Sequence, residues 1–63
     1  MKNSIKSERV RRNWSQHDLA EVLGVSRQTI NAIEQGKYAP SLPLALNLAR
    51  TFGVPVEQLF DGE

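Results

Sequence analysis

The sequence predicts a small all-α domain of five short helices, and three observations lead to this fold class. A length of 63 residues allows one domain, spanning 1–63, with one small core. Glycine, proline and serine signals divide the chain into short pieces, in which apolar residues recur at helical spacing. The chain has no cysteine, which excludes disulfides and thiolate metal sites. We expect five helices and no strands of consequence.

The first helix is predicted over about Ser4–Arg12, and its apolar face is thin. Ile5 is the main apolar residue on that face. Glu8 and Arg12 are spaced i,i+4, so we expect their side chains to pair along one side of the helix.

The second helix is predicted to begin at the cap residue Ser15, because Ser15 and Asp18 match a capping box with aspartate as the acidic member. Trp14 before the cap and Leu19 inside the helix suit a hydrophobic staple. Gly24 then ends the helix, since the left-handed conformation that often follows a helix costs glycine least.

The remaining three helices are predicted from similar signals. Ser26 caps the third helix, and Gly36 closes it. Ser41 caps the fourth, which carries apolar residues at helical spacing until Gly53 stops it. A last short helix is predicted over Pro55–Phe60, with proline at its first position.

Helices two and three have the spacing of a helix-turn-helix, over about Gln16–Gln35. A steep crossing of two helices needs a small residue at the contact and a tight turn between them, which Ala20 and Gly24 supply. Ile30 and Ile33 are expected to pack back onto the second helix. The outer face of the third helix would then project from the body and could enter a DNA major groove.

The region from Ser15 to Lys37 resembles the phage-repressor (Cro and lambda-repressor, XRE-type) helix-turn-helix family. The matching residues are Ser15-Gln16-x-x-Leu19-Ala20-x-x-Leu23-Gly24-Val25-Ser26-Arg27-Gln28-Thr29-Ile30-x-x-Ile33-Glu34-x-Gly36-Lys37, continued by Ala45-Leu46-x-Leu48-Ala49 and Phe52-Gly53-Val54. The resemblance covers nearly the whole chain and implies a compact, lambda-repressor-like five-helix DNA-binding domain. It further implies a transcriptional regulator that binds double-stranded DNA as a homodimer at a palindromic operator. Short regulators that consist of this domain alone are the members it resembles most.

The resemblance also implies which residues read bases. The positions that face base edges are Arg27, Gln28, Thr29, Asn31 and Ala32. Arginine suits the O6 and N7 atoms of guanine, and glutamine or asparagine suits N6 and N7 of adenine. Ala32 can offer only a methyl contact, for instance to thymine, and Thr29 could instead stiffen the helix.

Phosphate contacts are expected on both sides of the third helix, at Gln16, Gln35, Lys37 and Tyr38. Gln16 opens the second helix, and helix N-termini favour phosphate.

In the family, an arginine of helix one pairs with the glutamate before the glycine turn. Arg9 and Glu34 match those positions, so a structural pair that sets the direction of Lys37 is expected.

The chain departs from the family pattern in helix one. Glu8 stands where an apolar residue is common, and Arg12 is also polar. We expect this helix to be loosely held, or its charges to face a neighbouring subunit. Val56, Leu59 and Phe60 supply more apolar surface than a small core obviously needs, so they are the predicted dimer interface.

The charge distribution is compatible with a nucleic-acid partner. Residues 1–37 hold seven basic and four acidic side chains, whereas residues 38–63 hold one basic and three acidic. A basic half can face phosphates while an acidic end faces away. A random distribution of charged residues over the surface would give the same count. Charge alone therefore does not distinguish a nucleic-acid-binding surface from an ordinary protein surface.

Several classes of protein are disfavoured. With a single histidine, His17, the chain offers no nucleophile and base set for an enzyme and no zinc site; His17 is expected to be an exposed surface residue. No apolar run approaches the about 20 residues of a membrane span, and no signal peptide is visible, so a cytoplasmic location is expected. No cofactor is indicated, and no second domain is left to bind a small-molecule effector.

Two alternatives to a free-standing regulator remain open. An antitoxin or a restriction-modification controller would share the same sequence features, and only the neighbouring genes could separate them. A protein-interaction module that has lost DNA binding would carry acidic or apolar residues on the outer face of the third helix. Arg27, Gln28 and Asn31 stand there instead.

Overall fold

A computed structural model describes residues 2–61, and within them five helices form the body of the molecule. The elements in chain order are β1 (Lys2–Asn3), α1 (Ile5–Arg11), α2 (Gln16–Leu23), α3 (Arg27–Glu34), α4 (Leu42–Phe52), α5 (Val56–Leu59) and β2 (Phe60–Asp61). The predicted five-helix architecture is confirmed. The two ends of the described chain also pair as strands of two residues each, which were not predicted.

The helix caps form as the sequence predicts. The Ser15 hydroxyl accepts a hydrogen bond from the Asp18 backbone N–H at 3.0 Å, and the Asp18 carboxylate accepts one from the Ser15 N–H at 2.8 Å. The Ser15 N–H and then its hydroxyl lower the pKa of Asp18 from its ordinary value. Ser26 and Ser41 cap α3 and α4 in the same way, though without the reciprocal acid.

The turn between α2 and α3 depends on one left-handed residue. Gly24 has φ 72°, where an L side chain is strained. A Cβ built on Gly24 would meet nothing within 4 Å, so the backbone conformation alone selects glycine there. The Val25 N–H donates to the Ala20 carbonyl at 3.0 Å, which closes the end of α2 and leads the chain directly into α3.

The core lies where all five helices meet. Its fully buried side chains are Ile5, Leu19, Ile30, Ile33, Leu48 and Leu59. Trp14 is half-buried and packs against this core, with its ring centroid 6.1 Å from that of Phe52.

Helix α1 is anchored by its charged residues, so the expectation that it is loosely held, or turns its charges to a neighbouring subunit, is wrong. Glu8 is buried and accepts a hydrogen bond from the Arg12 guanidinium at 2.9 Å. The same guanidinium donates to the Phe52 carbonyl at 2.7 Å and lies 4.9 Å from the centre of the Phe52 ring. These contacts fasten α1 to the end of α4 from within.

Strands β1 and β2 are antiparallel, with Asn3 opposite Phe60. The Asn3 side chain donates to the Ile33 carbonyl at 2.8 Å and accepts from the Ile5 N–H at 3.1 Å. The paired strands therefore connect the two ends of the described chain to the last turn of α3.

The end of the chain differs from the prediction in two ways. Pro55 caps α5 rather than beginning it, and Phe60 lies in β2 rather than in the helix. Leu59 is only 1% exposed, because it fills the core of its own chain. It therefore has no surface to offer a partner, and its assignment to a dimer interface is wrong. Val56 and Phe60 are half-buried against the same core.

Candidate nucleic-acid interface

Helices α2 and α3 pack closely, as a helix-turn-helix requires. Leu19 and Ala20 of α2 are buried, and so are Ile30 and Ile33 of α3. Ala20 is buried, and its small side chain leaves room for the close approach of helices that the spacing predicts. The inner face of α3 is thereby fixed in the core, and its other side is left for contacts outside the molecule.

The outer face of α3 carries polar side chains. Arg27, Gln28 and Asn31 are exposed, and none of them lies on the side of Ile30 and Ile33. Because these three side chains differ in hydrogen-bonding groups, the face could distinguish the edges of different bases.

Two further residues that were predicted to contact bases are less exposed than these three. Ala32 is half-buried, and so is Thr29, whose hydroxyl lies 2.9 Å from that of Ser26 at the helix cap. The Thr29 contact supports its alternative role in stiffening the start of α3.

A buried ion pair joins α1 to α3. The Arg9 guanidinium donates to both carboxylate oxygens of Glu34, at 2.7 and 3.2 Å, and the two side chains are 10% and 4% exposed. Arg9 also donates to the Trp14 carbonyl at 2.8 Å, just before α2 begins. The predicted pair is therefore present, and it connects α1, α3 and the residue that precedes α2 by two positions.

An amide network continues from this ion pair to the outer face of α3. The Gln16 side-chain NH₂ donates to Glu34 Oε1 and to Asn31 Oδ1, both at 3.1 Å. The Gln35 side-chain NH₂ donates to the same Asn31 oxygen at 3.2 Å.

Sequence reasoning missed this network. The i,i+4 spacing of Asn31 and Gln35 could have indicated one of its bonds, but the bond from Gln16 crosses between helices and leaves no local signal.

The predicted phosphate-contacting residues flank the outer face of α3. Gln16 is the first residue of α2, Gln35 caps the end of α3, and Lys37 and Tyr38 are exposed just after it. The Lys37 N–H donates to the Ala32 carbonyl at 3.0 Å, which holds the start of this loop against the helix.

Some basic side chains of residues 1–37 form ion pairs within the molecule, whereas others are exposed to solvent. Arg9 and Arg12 are engaged in ion pairs within the molecule. Arg27 and Lys37 are exposed and form no ion pair with another residue of 2–61. The charge available to a phosphate backbone is therefore smaller than the residue count suggests, and Arg27 and Lys37 place part of it at the two ends of α3.

Other kinds of site find no support in the described residues. Within 2–61, no group of three or more histidine, cysteine or acidic residues could hold a metal ion. None of the helices in that range is both long and apolar enough to cross a membrane. His17 is exposed and lies 3.3 Å from Glu21 on the surface of α2, as expected of a surface residue.

Comparison with known proteins identifies the family of this chain. The model of the helix-turn-helix family HTH_3 matches residues 5–59. An uncharacterized HTH-type transcriptional regulator of Methanocaldococcus jannaschii is 58% identical over 60 residues, which are 95% of this chain and 91% of that protein. The transcriptional repressor RstR of the cryptic phage CTXphi from Vibrio cholerae is 35% identical over 57 residues, which are 90% of this chain and 51% of the repressor.

Solved structures agree with this assignment. The restriction-modification controller protein C.AhdI from Aeromonas hydrophila superimposes with a TM-score of 0.78 at 28% identity, over 89% of this chain and 85% of the controller. A hypothetical transcription factor from Neisseria gives the same TM-score at 29% identity, over 87% of this chain and 62% of that one. The chain belongs to the helix-turn-helix family HTH_3 (XRE type), a family of DNA-binding transcriptional regulators and not of enzymes.

Proposed function

We propose that this protein is a transcriptional repressor that binds an inverted-repeat operator as a homodimer, with α3 in the major groove. The observation that carries the proposal is the division of α3 into two faces. Ile30 and Ile33 lock one face in the core, while Arg27, Gln28 and Asn31 are exposed on the other. A rigid helix that presents unlike polar groups suits base readout. The named repressor among the relatives supports the direction of regulation.

The proposed base contacts follow from the chemistry of each side chain. Arg27 would donate two hydrogen bonds to a guanine, and Gln28 would exchange a pair with an adenine. Ala32 and Thr29 lie at the edge of this face and would supply a methyl contact and rigidity.

The proposed phosphate contacts flank α3 and fix its position in the groove. Lys37 and Tyr38 are exposed after the helix, and Gln35 retains one amide hydrogen beyond its bond to Asn31. Gln16 would bind phosphate through its backbone N–H at the start of α2, because both hydrogens of its side-chain amide are engaged internally.

The homodimer would place two copies of α3 about 34 Å apart, one turn of DNA. With Leu59 buried, Val56 and Phe60 remain as the proposed contact residues. Leu42 and Leu46 add exposed apolar surface on α4, one turn apart on the helix.

We further propose that 1–63 acts as a single domain, and that it works in the cytoplasm with the DNA it regulates.

Selection of bound sites from random DNA tests the proposal. It should return two half-sites of opposite orientation, about 10 base pairs apart from centre to centre. Gln28→Ala should relax the preference at one base position, whereas Lys37→Ala should weaken all sites alike. Recovery of unrelated sequences would contradict sequence-specific binding. A single unrepeated half-site, together with a monomer in analytical ultracentrifugation, would contradict only the dimer.

A role as a restriction-modification controller is the second candidate. The observation that favours it is the controller structure, which superimposes on 89% of this chain over 85% of its own length. Genes for a restriction endonuclease and a methyltransferase beside the coding sequence would support this candidate, and other neighbours would exclude it.

A further inference from the structure

The side-chain amide of Asn31 is held in one orientation by a chain of hydrogen bonds that begins in the core. The chain runs from Arg9 through Glu34 and Gln16 to Asn31, on the outer face of α3. Each residue in this chain has a limited set of hydrogen-bond donors and acceptors. Which group donates in one hydrogen bond therefore decides which group donates in the next.

Arg9 and Glu34 fix the donor-to-acceptor direction of these hydrogen bonds. A guanidinium can only donate, and the carboxylate it pairs with can only accept. Glu34 Oε1 lies 3.1 Å from the Gln16 amide, so Gln16 must turn its NH₂ group, and not its carbonyl oxygen, toward Glu34. The burial of Arg9 and Glu34 keeps water from relaxing this requirement.

The orientation of the Gln16 amide in turn fixes the orientation of the Asn31 amide. An amide NH₂ has two hydrogens, and the second one of Gln16 points to Asn31, which must therefore offer its oxygen. Gln35 donates to that same oxygen from the other side. A carbonyl oxygen has two lone pairs, so these bonds fill its acceptor capacity.

We propose that Asn31 presents only its NH₂ group to the major groove, and therefore selects guanine over adenine at the base it contacts. Guanine offers two acceptors, O6 and N7, to such a donor, whereas adenine places its own N6 donor beside N7. The paired contact by which asparagine usually reads adenine needs a free side-chain oxygen, which Asn31 lacks. This inference rests on the proposed function and revises the adenine preference that residue type alone suggests.

The test measures base preference at the position that Asn31 reads. That position is identified as the one where Asn31→Ala flattens the preference, in binding assays with a panel of single-base operator variants. The native protein should favour guanine over adenine there by about fivefold or more. In the double variant Gln16→Ala/Gln35→Ala, the oxygen of Asn31 is released, and the ratio should fall to one or below at this position only. Gln58→Ala, an exposed glutamine on α5, is the matched control and should leave the ratio unchanged.

Each outcome separates this inference from the proposed function. A native preference for adenine, an unchanged ratio in the double variant, or no altered position in Asn31→Ala would overturn the role of Asn31 while leaving sequence-specific binding intact. Absence of any sequence-specific binding would remove the proposed function itself. In the DNA-free protein, NMR should find the Gln16 amide hydrogens protected from exchange and those of Asn31 unprotected. The reverse pattern would overturn the orientation independently of any operator.

Discussion

At the scale of single residues, the Arg9–Glu34 ion pair connects the stability of the fold to the outer face of α3. Both side chains are almost fully buried, so each depends on the other to compensate the loss of water. Glu34 also holds Gln16, and Arg9 holds the Trp14 carbonyl that precedes α2. A change at either residue should therefore affect folding and the placement of α3 together.

Glu34→Ala is expected to lower the free energy of unfolding by about 3–5 kcal/mol, because it leaves the Arg9 guanidinium buried without a counter-charge. Urea denaturation followed by circular dichroism measures this loss. Glu21→Ala, which removes an exposed carboxylate beside His17, is the control and should change stability by less than about 0.5 kcal/mol. The double change Arg9→Met/Glu34→Leu should cost less than Glu34→Ala alone, since no unpaired charge remains. Equal effects of Glu34→Ala and Glu21→Ala would show that the pair is unimportant.

The capping box of α2 makes stability depend on pH at the acidic end. The pKa of Asp18 is lowered in the folded chain, so its contribution to stability is present above the ordinary value near 3.8 and is lost as pH falls through the folded pKa. The difference in thermal midpoint between the native chain and Asp18→Asn should therefore shrink as pH falls below about 4. A difference that stays constant from about pH 6 to pH 2 would contradict the carboxylate's role.

At the scale of elements, the turn between α2 and α3 sets the direction in which the outer face of α3 points. Gly24→Ala should destabilise the fold by about 1–2 kcal/mol, because alanine is strained at the positive φ of this residue although there is space for its methyl group. Gly24→Asn is the matched control and should cost less, since asparagine adopts this conformation more readily. Chemical denaturation of the three proteins checks the order, and equal stability of the alanine and glycine forms would refute it.

The elements also show which features a sequence can predict. The caps at Ser15, Ser26 and Ser41 and the left-handed Gly24 were foreseen because each depends on residues within a few positions of one another. The pairing of β1 with β2 was not foreseen, since its strands are two residues long and lie at opposite ends of the chain. Such pairing depends on the completed fold rather than on any local propensity.

At the scale of the whole molecule, contacts distant in sequence decide what the charged residues do. Composition predicts a basic first half, but Arg12 is used to fasten α1 to Phe52, forty residues away in sequence. The polarity of Asn31 likewise depends on Arg9 through two intermediate residues. The sequence could thus predict which polar side chains are exposed on α3, whereas the hydrogen-bonding groups that they present depend on the folded network.

This division of charge predicts how DNA binding should respond to salt. Affinity for DNA falls as salt rises, with a slope set by the number of phosphates that cationic groups neutralise. Lys37→Ala should reduce the magnitude of the slope of log K against log salt by about one, because an exposed lysine beside α3 is lost.

Two matched changes sharpen the salt experiment. Arg50→Ala removes an exposed cation from α4 that has no proposed DNA contact, and it should leave the slope unchanged. Gln28→Ala should weaken the preferred operator but also leave the slope unchanged, since a neutral side chain releases no counterion. Fluorescence anisotropy at several salt concentrations measures all four proteins. An equal slope for the native chain and Lys37→Ala would show that Lys37 neutralises no phosphate and would overturn its proposed contact.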